Sequence, residues 1–265
     1  MKIKVFAFQK DEDDILRDWI EYHSYLFGKE NIYIIDHDSK DSKSIITNSG
    51  ANLLHFSGPF VHNKGIQLTK VMNDNKNSCD FVIPLDVDEF LMTQDGGVEK
   101  EDVLECFKDL KGCGAYKIVS YSIPGHDKDP LTEFTSVRDN PDHGRLRRWK
   151  TFWRSKNFVR TDQGNHGWEE GPYEKTKLGM LHFHDRGFEH YKRKFLRWPK
   201  AYGVVCDQLK GGAHWYEQWE VIKDMNNKEM FEHWKKTIIA PKNNVSKYES
   251  FMFKIKELRK LRGKQ

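Results

Sequence analysis

The chain has 265 residues, enough for one large domain or a domain with a smaller appendage, and enough to bury a sizeable core. Eight Trp and seventeen Phe exclude a disordered chain, and a net charge of +4 is too small to mark a nucleic-acid binder. Four cysteines without CxxC spacing exclude a thiolate metal site and a secreted disulfide scaffold, so free thiols in a reducing, cytoplasmic setting are expected. The opening "MKIKVFAFQKDEDD" is too short an apolar run for a signal peptide. No later stretch reaches the ~18 apolar residues of a membrane span.

In chain order, Lys2–Phe8 predicts a first strand, and "DEDDILRDWIEYHSYLFG" an amphipathic helix that stops at Gly28. Asn31–Asp36 predicts a second strand, followed by a loop and short helix closing at Gly50. Asn52–Phe56 is a third strand, residues 64–77 a helix, and Phe81–Leu85 a fourth strand. Strand and helix alternate four times, as in a parallel sheet with crossover helices. Such sheets bind ligands beyond the carboxyl ends of their strands. Asp36 and Asp86 close two of these strands, so they should share one rim.

Beyond residue 97 the pattern gives a helix in "VEKEDVLECFKDL" and a strand in "AYKIVSYSI". Residues 122–148 read as a long irregular region, rich in Pro and Gly, that could move. Strands in "KTFWRSKNFVR" and "KLGMLHFH" follow, then helices at about 187–201, 214–236 and 244–262.

The stretch "DFVIPLDVDEF" sets three carboxylates, Asp86, Asp88 and Glu89, directly against a buried strand. Like charges so close repel, and burying them uncompensated costs several kcal/mol each. Asp86 and Asp88 suit a hard divalent cation such as Mg2+ or Mn2+, although a bare DxD also reads as a solvated turn. In "IYIIDHDSKD", Asp36 and Asp38 could accept hydrogen bonds from a ribose or base edge; helix capping by Asp38 or Ser39 is the plain alternative. His182 and His184 share one face of a predicted strand, and His166 lies in the glycine-flanked "GNHGW". An imidazole among them would favour Mn2+ over Mg2+. In the basic belt "RLRRWKTFWRSKNFVR", Lys156 and Arg160 are the candidates for a diphosphate, and Trp149 or Trp153 for stacking on a sugar or base.

Together these segments are similar to something. "QKDEDDILRDWIEYHSYLFGKENIYIIDHDSKD", "DFVIPLDVDEFL", "GNH" and "LHFHDRGFEHYKRKF" resemble, in order, the segments of small family-2-like glycosyltransferases of the GT-A fold. The resemblance spans about residues 4–197, and Gly187 departs from it where the family has serine. It implies an α/β, Rossmann-like, mostly parallel central sheet flanked by helices, over residues 1–200. A helical C-terminal extension, residues 201–265, would pack on or beside it. It also implies a nucleotide-diphosphate sugar donor, Mn2+ or Mg2+, and transfer of a hexosyl or pentosyl group to a glycan or other hydroxyl acceptor with inversion. By position, Asp36 and Asp38 would lie near the nucleoside, Asp86 and Asp88 would hold ribose and metal, and His182, rivalled by His184, would be the histidine ligand. No motif identifies the base that deprotonates the acceptor; Asp162, Glu169 and Glu170 flank the glycine–histidine loop, with Asp162 preferred. Two other classes compete: a metal-dependent phosphoesterase or nuclease, and a non-catalytic binding module that uses its basic C-terminal helix "FMFKIKELRKLRGK" on an acidic surface; the same helix could make a peripheral membrane contact.

Overall fold

The computed structural model describes residues 1–264 except 59, 111, 113, 125–128, 136, 140–148, 168–172, 202–220 and 238–244. Strand β1 (Ile3–Gln9) leads to helix α1 (Asp13–Phe27), β2 (Ile32–His37), α2 (Ser42–Ser49), β3 (Asn52–Phe56), α3 (Phe60–Asn75) and β4 (Phe81–Leu85). The second half runs β5 (Glu89–Thr93), α4 (Lys100–Lys108), β6 (Ala115–Ser122), β7 (Arg138–Asp139), β8 (Trp149–Arg154) and β9 (Glu174–His182). Helices α5 (Gly187–Ala201), α6 (Asn227–Thr237) and α7 (Glu249–Arg262) complete it. This is the expected α/β, Rossmann-like arrangement.

The sheet order is β3-β2-β1-β4-β8-β6-β9-β5, with β7 on β6. The first four strands pair in parallel, Gln9 beside Asp36 and Ala7 beside Leu85, so the carboxyl ends of β1, β2 and β4 form one rim. Beyond β4 the sheet is mixed: β8 is antiparallel to β4 and β6, while β6 and β9 are parallel.

Alternation in the central strands feeds two faces. Val5 and Ala7 of β1 join a large core under α1 and α4, whereas Phe6 and Phe8 join Leu68 and Met72 of α3 on the other side. Burial on both faces explains why β4 reads as a continuous apolar run.

Helix α1 does more than cover the sheet. Its Trp19 Nε1 donates to Glu89 O at 2.8 Å and its Tyr22 hydroxyl to Leu91 O at 2.6 Å. Burial pushes the His23 imidazole down to about 3, so it stays neutral beside the Leu91 amide, which donates to its Nε2 at 3.5 Å. The aromatic side of "DWIEYH" is thus the clamp for β5. That strand was not foreseen: all five residues are buried, without the alternation that marks a half-exposed strand.

Two other expectations change. Part of the irregular region 122–148 is packed: Leu131, Phe134 and Val137 are buried in the main core, Phe134 against Phe183 and Phe251. The helix expected at 214–236 is described from residue 221, and it is interrupted: residues 221–222 are helical, 223–226 are not, and α6 resumes at Asn227.

Helix α7 docks onto α1, β5 and the end of β9. Phe251 sits among Tyr22, Phe90 and Phe183 at ring separations of 5.4–5.7 Å. Arg259 and Arg262 pair with Asp18 at 2.7 and 2.5 Å, and Arg262 with Glu21 at 2.6 Å. Its apolar positions Phe251 and Ile255 are spent on this packing, leaving Phe253 and Leu261 exposed. Among the described residues no helix is long and apolar enough to cross a membrane. Between α5 and α6 lies a separate small core of Tyr191, Ile222, Met230 and Trp234.

Candidate active site

The four residues Asp86–Glu89 form a turn, closed by the Glu89 amide donating to Asp86 O at 3.0 Å. Val87 drops into the core between them, which leaves the flanking carboxylates on the rim. The two aspartates then meet different partners.

Asp86 is held by ammonium groups on both oxygens. Lys64 of α3 contacts Oδ1, and Lys150 of β8 contacts Oδ2 at 2.8 Å. Lys150, only 5% exposed, also lies 3.0 Å from Glu89 Oε1 and donates to Gly164 O at 2.8 Å. Glu89 Oε2 accepts from the Asp86 amide, and Asn165 Nδ2 approaches Asp86 Oδ1 at 3.4 Å. Burial resists ionisation of Asp86, but Lys150 and Lys64 outweigh it and hold the carboxyl well below its usual range. Glu89 behaves oppositely: burial, reinforced by Asp86 and Asp88, raises it against the pull of Lys150. Burial lowers Lys150, and the two carboxylates more than reverse this.

Asp88 is different. Its Oδ2 faces His182 Nε2 at 3.5 Å and Arg186 Nη1 at 3.8 Å, while its buried Oδ1 accepts no hydrogen bond from the described residues. The Phe183 amide donates to Asp88 O at 2.8 Å, tying the turn to the end of β9 and so to both histidines. Ligand atoms of Asp88, His182 and His184 all lie within 4.8 Å of one another. Burial of Asp88 is outweighed by His182 and Arg186, keeping it ionised; burial of His182 is outweighed by Asp88, which raises it. His184 is lowered by burial, then by Lys194 and His182, so it is a neutral imidazole. One carboxylate with an unused buried oxygen and two imidazoles is a donor set for a single divalent cation, better matched to Mn2+ than to Mg2+. Asp86 and Glu89 also come within 4.8 Å of Asp88, but both are committed to Lys150. A second cation beside Asp88 would have to take Asp86 or Glu89 from Lys150, which counts against a two-metal hydrolase.

A ring of charge surrounds the group. Arg186 Nε donates to Asp14 Oδ2 at 2.9 Å, Nη1 to Phe183 O at 3.1 Å, and Nη2 to Glu12. Burial raises Glu12 although Arg186 opposes it. Lys194 of α5 places Nζ 2.6 Å from His184 Nε2.

Strain gathers on the same rim. Asp11, Asp38 and Asn165, with φ of 52°, 50° and 59°, are the non-glycine residues with positive φ among those described. Each follows or faces a strand end of the rim, where such conformations are associated with function.

The other sequence candidates are distributed as follows. Asp36 is fully buried, bonded by Gln9 Nε2 and by the Ser39 amide at 3.3 Å. Asp38 is 47% exposed and accepts from His55 at 2.8 Å and Ser57 at 2.9 Å. His166 is engaged by other partners: its Nδ1 lies 2.7 Å from Trp149 O, and its amide donates to Asp162 Oδ1 at 2.7 Å. Glu169 and Glu170 lie outside the described residues.

Lys156 needs correction as a residue leading into the site. Strand β8 runs antiparallel to β4, with Arg154 opposite Phe81, so Lys156 emerges at the amino end of β4, roughly 15 Å from Asp86. Arg160 lies on the exposed return path beside α3, where Asn73 donates to Val159 O and the Thr161 amide to Thr69. The lysine of that belt that reaches the site is Lys150, at the other end of β8. Strand direction decides between them, and a lone sequence does not reveal it. Lys64, Arg186, Glu12 and Lys194 likewise carry no motif that marks them in the sequence. Their signal was weak: one lysine in a helix, one arginine after the histidines, one acid among four, and one base in a basic helix.

Comparison with solved structures matches the chain to glucosyl-3-phosphoglycerate synthase from Mycobacterium tuberculosis, solved with Mn2+, UDP and glucosyl-3-phosphoglycerate. The identity is 21% over 46% of this chain and 44% of that one, with a TM-score of 0.33. A cytidylyltransferase from Leptospira borgpetersenii matches at 12% identity over 44% of this chain and 54% of that one, with a TM-score of 0.31. The chain thus spans about half or less of the structures it matches. Comparison with curated proteins finds no match. The sequence model of glycosyltransferase family 92, however, matches residues 43–247, well over half of the chain and including Asp86, Asp88, His182 and His184, and the chain belongs to that family.

Proposed function

We propose that this glycosyltransferase takes its sugar from a nucleotide-diphosphate sugar, with a divalent cation held by Asp88, His182 and His184, and delivers it to an acceptor hydroxyl with inversion. The observation that carries the reading is the buried, unpartnered Oδ1 of Asp88 beside two imidazoles at the rim of the sheet. When bound, the cation would stabilise the negative charge that builds on the departing diphosphate.

The chain's own residues supply the rest. Lys64 and Lys150 hold Asp86 ionised and keep the Asp86–Glu89 turn in register. Arg186 joins the β1–α1 loop, the turn and the β9–α5 loop into one frame. Asp38, exposed on the rim, is the acid assigned to the nucleoside, since Asp36 is consumed by Gln9 and Ser39. Deprotonation of the acceptor is assigned to Asp162, whose Oδ1 serves the His166 amide while Oδ2 takes no hydrogen bond from the described residues. An acceptor-side base belongs away from the cation, because a bound cation would depress its pKa.

The test is thermal shift with UDP, GDP, ADP and CDP, each with Mn2+ and with chelator. One diphosphate should raise Tm by several degrees with Mn2+ and much less with chelator. A flat response to all four with Mn2+ present would remove the donor site from this rim. Inversion has its own check: NMR of the product formed from an α-linked donor should show a β-linkage. An α-linked product would discard inversion.

A further inference from the structure

Lys194 and a cation at this site would compete for the same imidazole, that of His184. The Lys194 ammonium lies 2.6 Å from His184 Nε2 and 3.3 Å from Nδ1. A ring nitrogen has one lone pair, so it cannot accept from an ammonium and ligate a cation together. A dication at Asp88, His182 and His184 would also face that ammonium at close range, where like charges repel strongly. The carboxylates on this side are largely committed: Asp14 and Glu12 are held by Arg186, with Arg193 3.6 Å from Asp14. Asp185 remains as an acid acting on Lys194.

We propose that Lys194 is a diphosphate-binding residue parked on His184, which a divalent cation displaces from the imidazole so that it turns onto the diphosphate. Cation and diphosphate then bind cooperatively. The cation alone must evict an ammonium, whereas with a diphosphate present that ammonium gains a charge-assisted bond. This rests on the cation site proposed above. It adds a residue to that site and gives a reason for ordered filling.

The experiment measures two affinities in the wild type, Lys194→Met and Lys194→Arg. Mn2+ alone is followed by the electron paramagnetic resonance signal of the free ion. The diphosphate with the largest thermal shift is then titrated calorimetrically at saturating Mn2+. Methionine keeps the stem and removes the charge, so Mn2+ alone should bind at least about threefold more tightly. The diphosphate should bind about tenfold or more weakly, as expected for a lost hydrogen bond between charged groups. Arginine should restore most of the diphosphate affinity.

Opposite signs identify the role, since a residue that merely supports the fold would weaken both. Parallel weakening overturns the proposal. So does unchanged diphosphate affinity, the result expected if Lys194 retires to Asp185. If the wild type binds neither Mn2+ nor any diphosphate, the cation site itself is wrong and this inference falls with it. If the wild type binds both and Lys194→Met changes neither, only the inference falls.

Discussion

Asp88→Asn should abolish turnover while leaving the fold standing. The substitution preserves shape but replaces the buried, unpartnered Oδ1 and its charge with a neutral amide. Asp88 is the carboxylate of the Asp88–His182–His184 group that no ammonium occupies; its nearest cationic neighbours are His182 at 3.5 Å and Arg186 at 3.8 Å. Without its charge, two imidazoles remain, one of them already engaged by Lys194. A divalent cation then loses its anionic ligand. Losing electrostatic stabilisation of a developing charge costs on the order of a hundred- to a thousandfold in rate, and loss of the ion that provides it costs at least as much. Mn2+ affinity, measured without donor or acceptor, should fall in step. Tm should move by only a few degrees, because the amide removes the burden of burying an ionised group along with its favourable neighbours. Retained turnover, or Mn2+ affinity equal to wild type, would move the cation elsewhere.

Much of the fold could be read directly. The boundaries of β3 and β4 coincide with those expected from the apolar runs, and Asp36 and Asp86 do share a rim because parallel pairing aligns strand ends. What could not be read depended on partners distant in sequence. Strand β5 follows a turn too short to look like a boundary, and it is stabilised by α1 about seventy residues earlier. Lys150 and Lys156 are indistinguishable as sequence, and only the antiparallel course of β8 brings one to Asp86 and carries the other off. Asp86 and Asp88 look equivalent in a DxD, yet one is neutralised by two lysines and the other retains an open oxygen. That difference resides in Lys64 and Lys150, 22 and 64 residues away.

Lys150→Met should be among the most destabilising single substitutions at the site, and its effect should depend on pH. Lys150 is the cation that allows Asp86 and Glu89 to be buried side by side, and it also anchors the loop through Gly164 O. Methionine fills the space but leaves Glu89 without a counter-ion and Asp86 with Lys64 alone. Breaking a buried pair from one side costs about 3–5 kcal/mol, which denaturant unfolding resolves easily. The pH dependence follows from Glu89. Its folded-state pKa is already raised, so its contribution is fully present below the unfolded carboxyl value and is lost as pH rises through the folded one. Removing Lys150 raises Glu89 further and enlarges that loss. Asp86 works in the other direction: it is depressed, so its contribution disappears only in strong acid, below the window of interest. Lys150 itself is raised above the ordinary lysine range and stays charged throughout. The stability deficit of Lys150→Met should therefore be larger near pH 8 than near pH 5, and adding Glu89→Gln should recover part of it at the higher pH. A deficit below about 1 kcal/mol, or one independent of pH, would mean that water rather than Lys150 compensates these carboxylates.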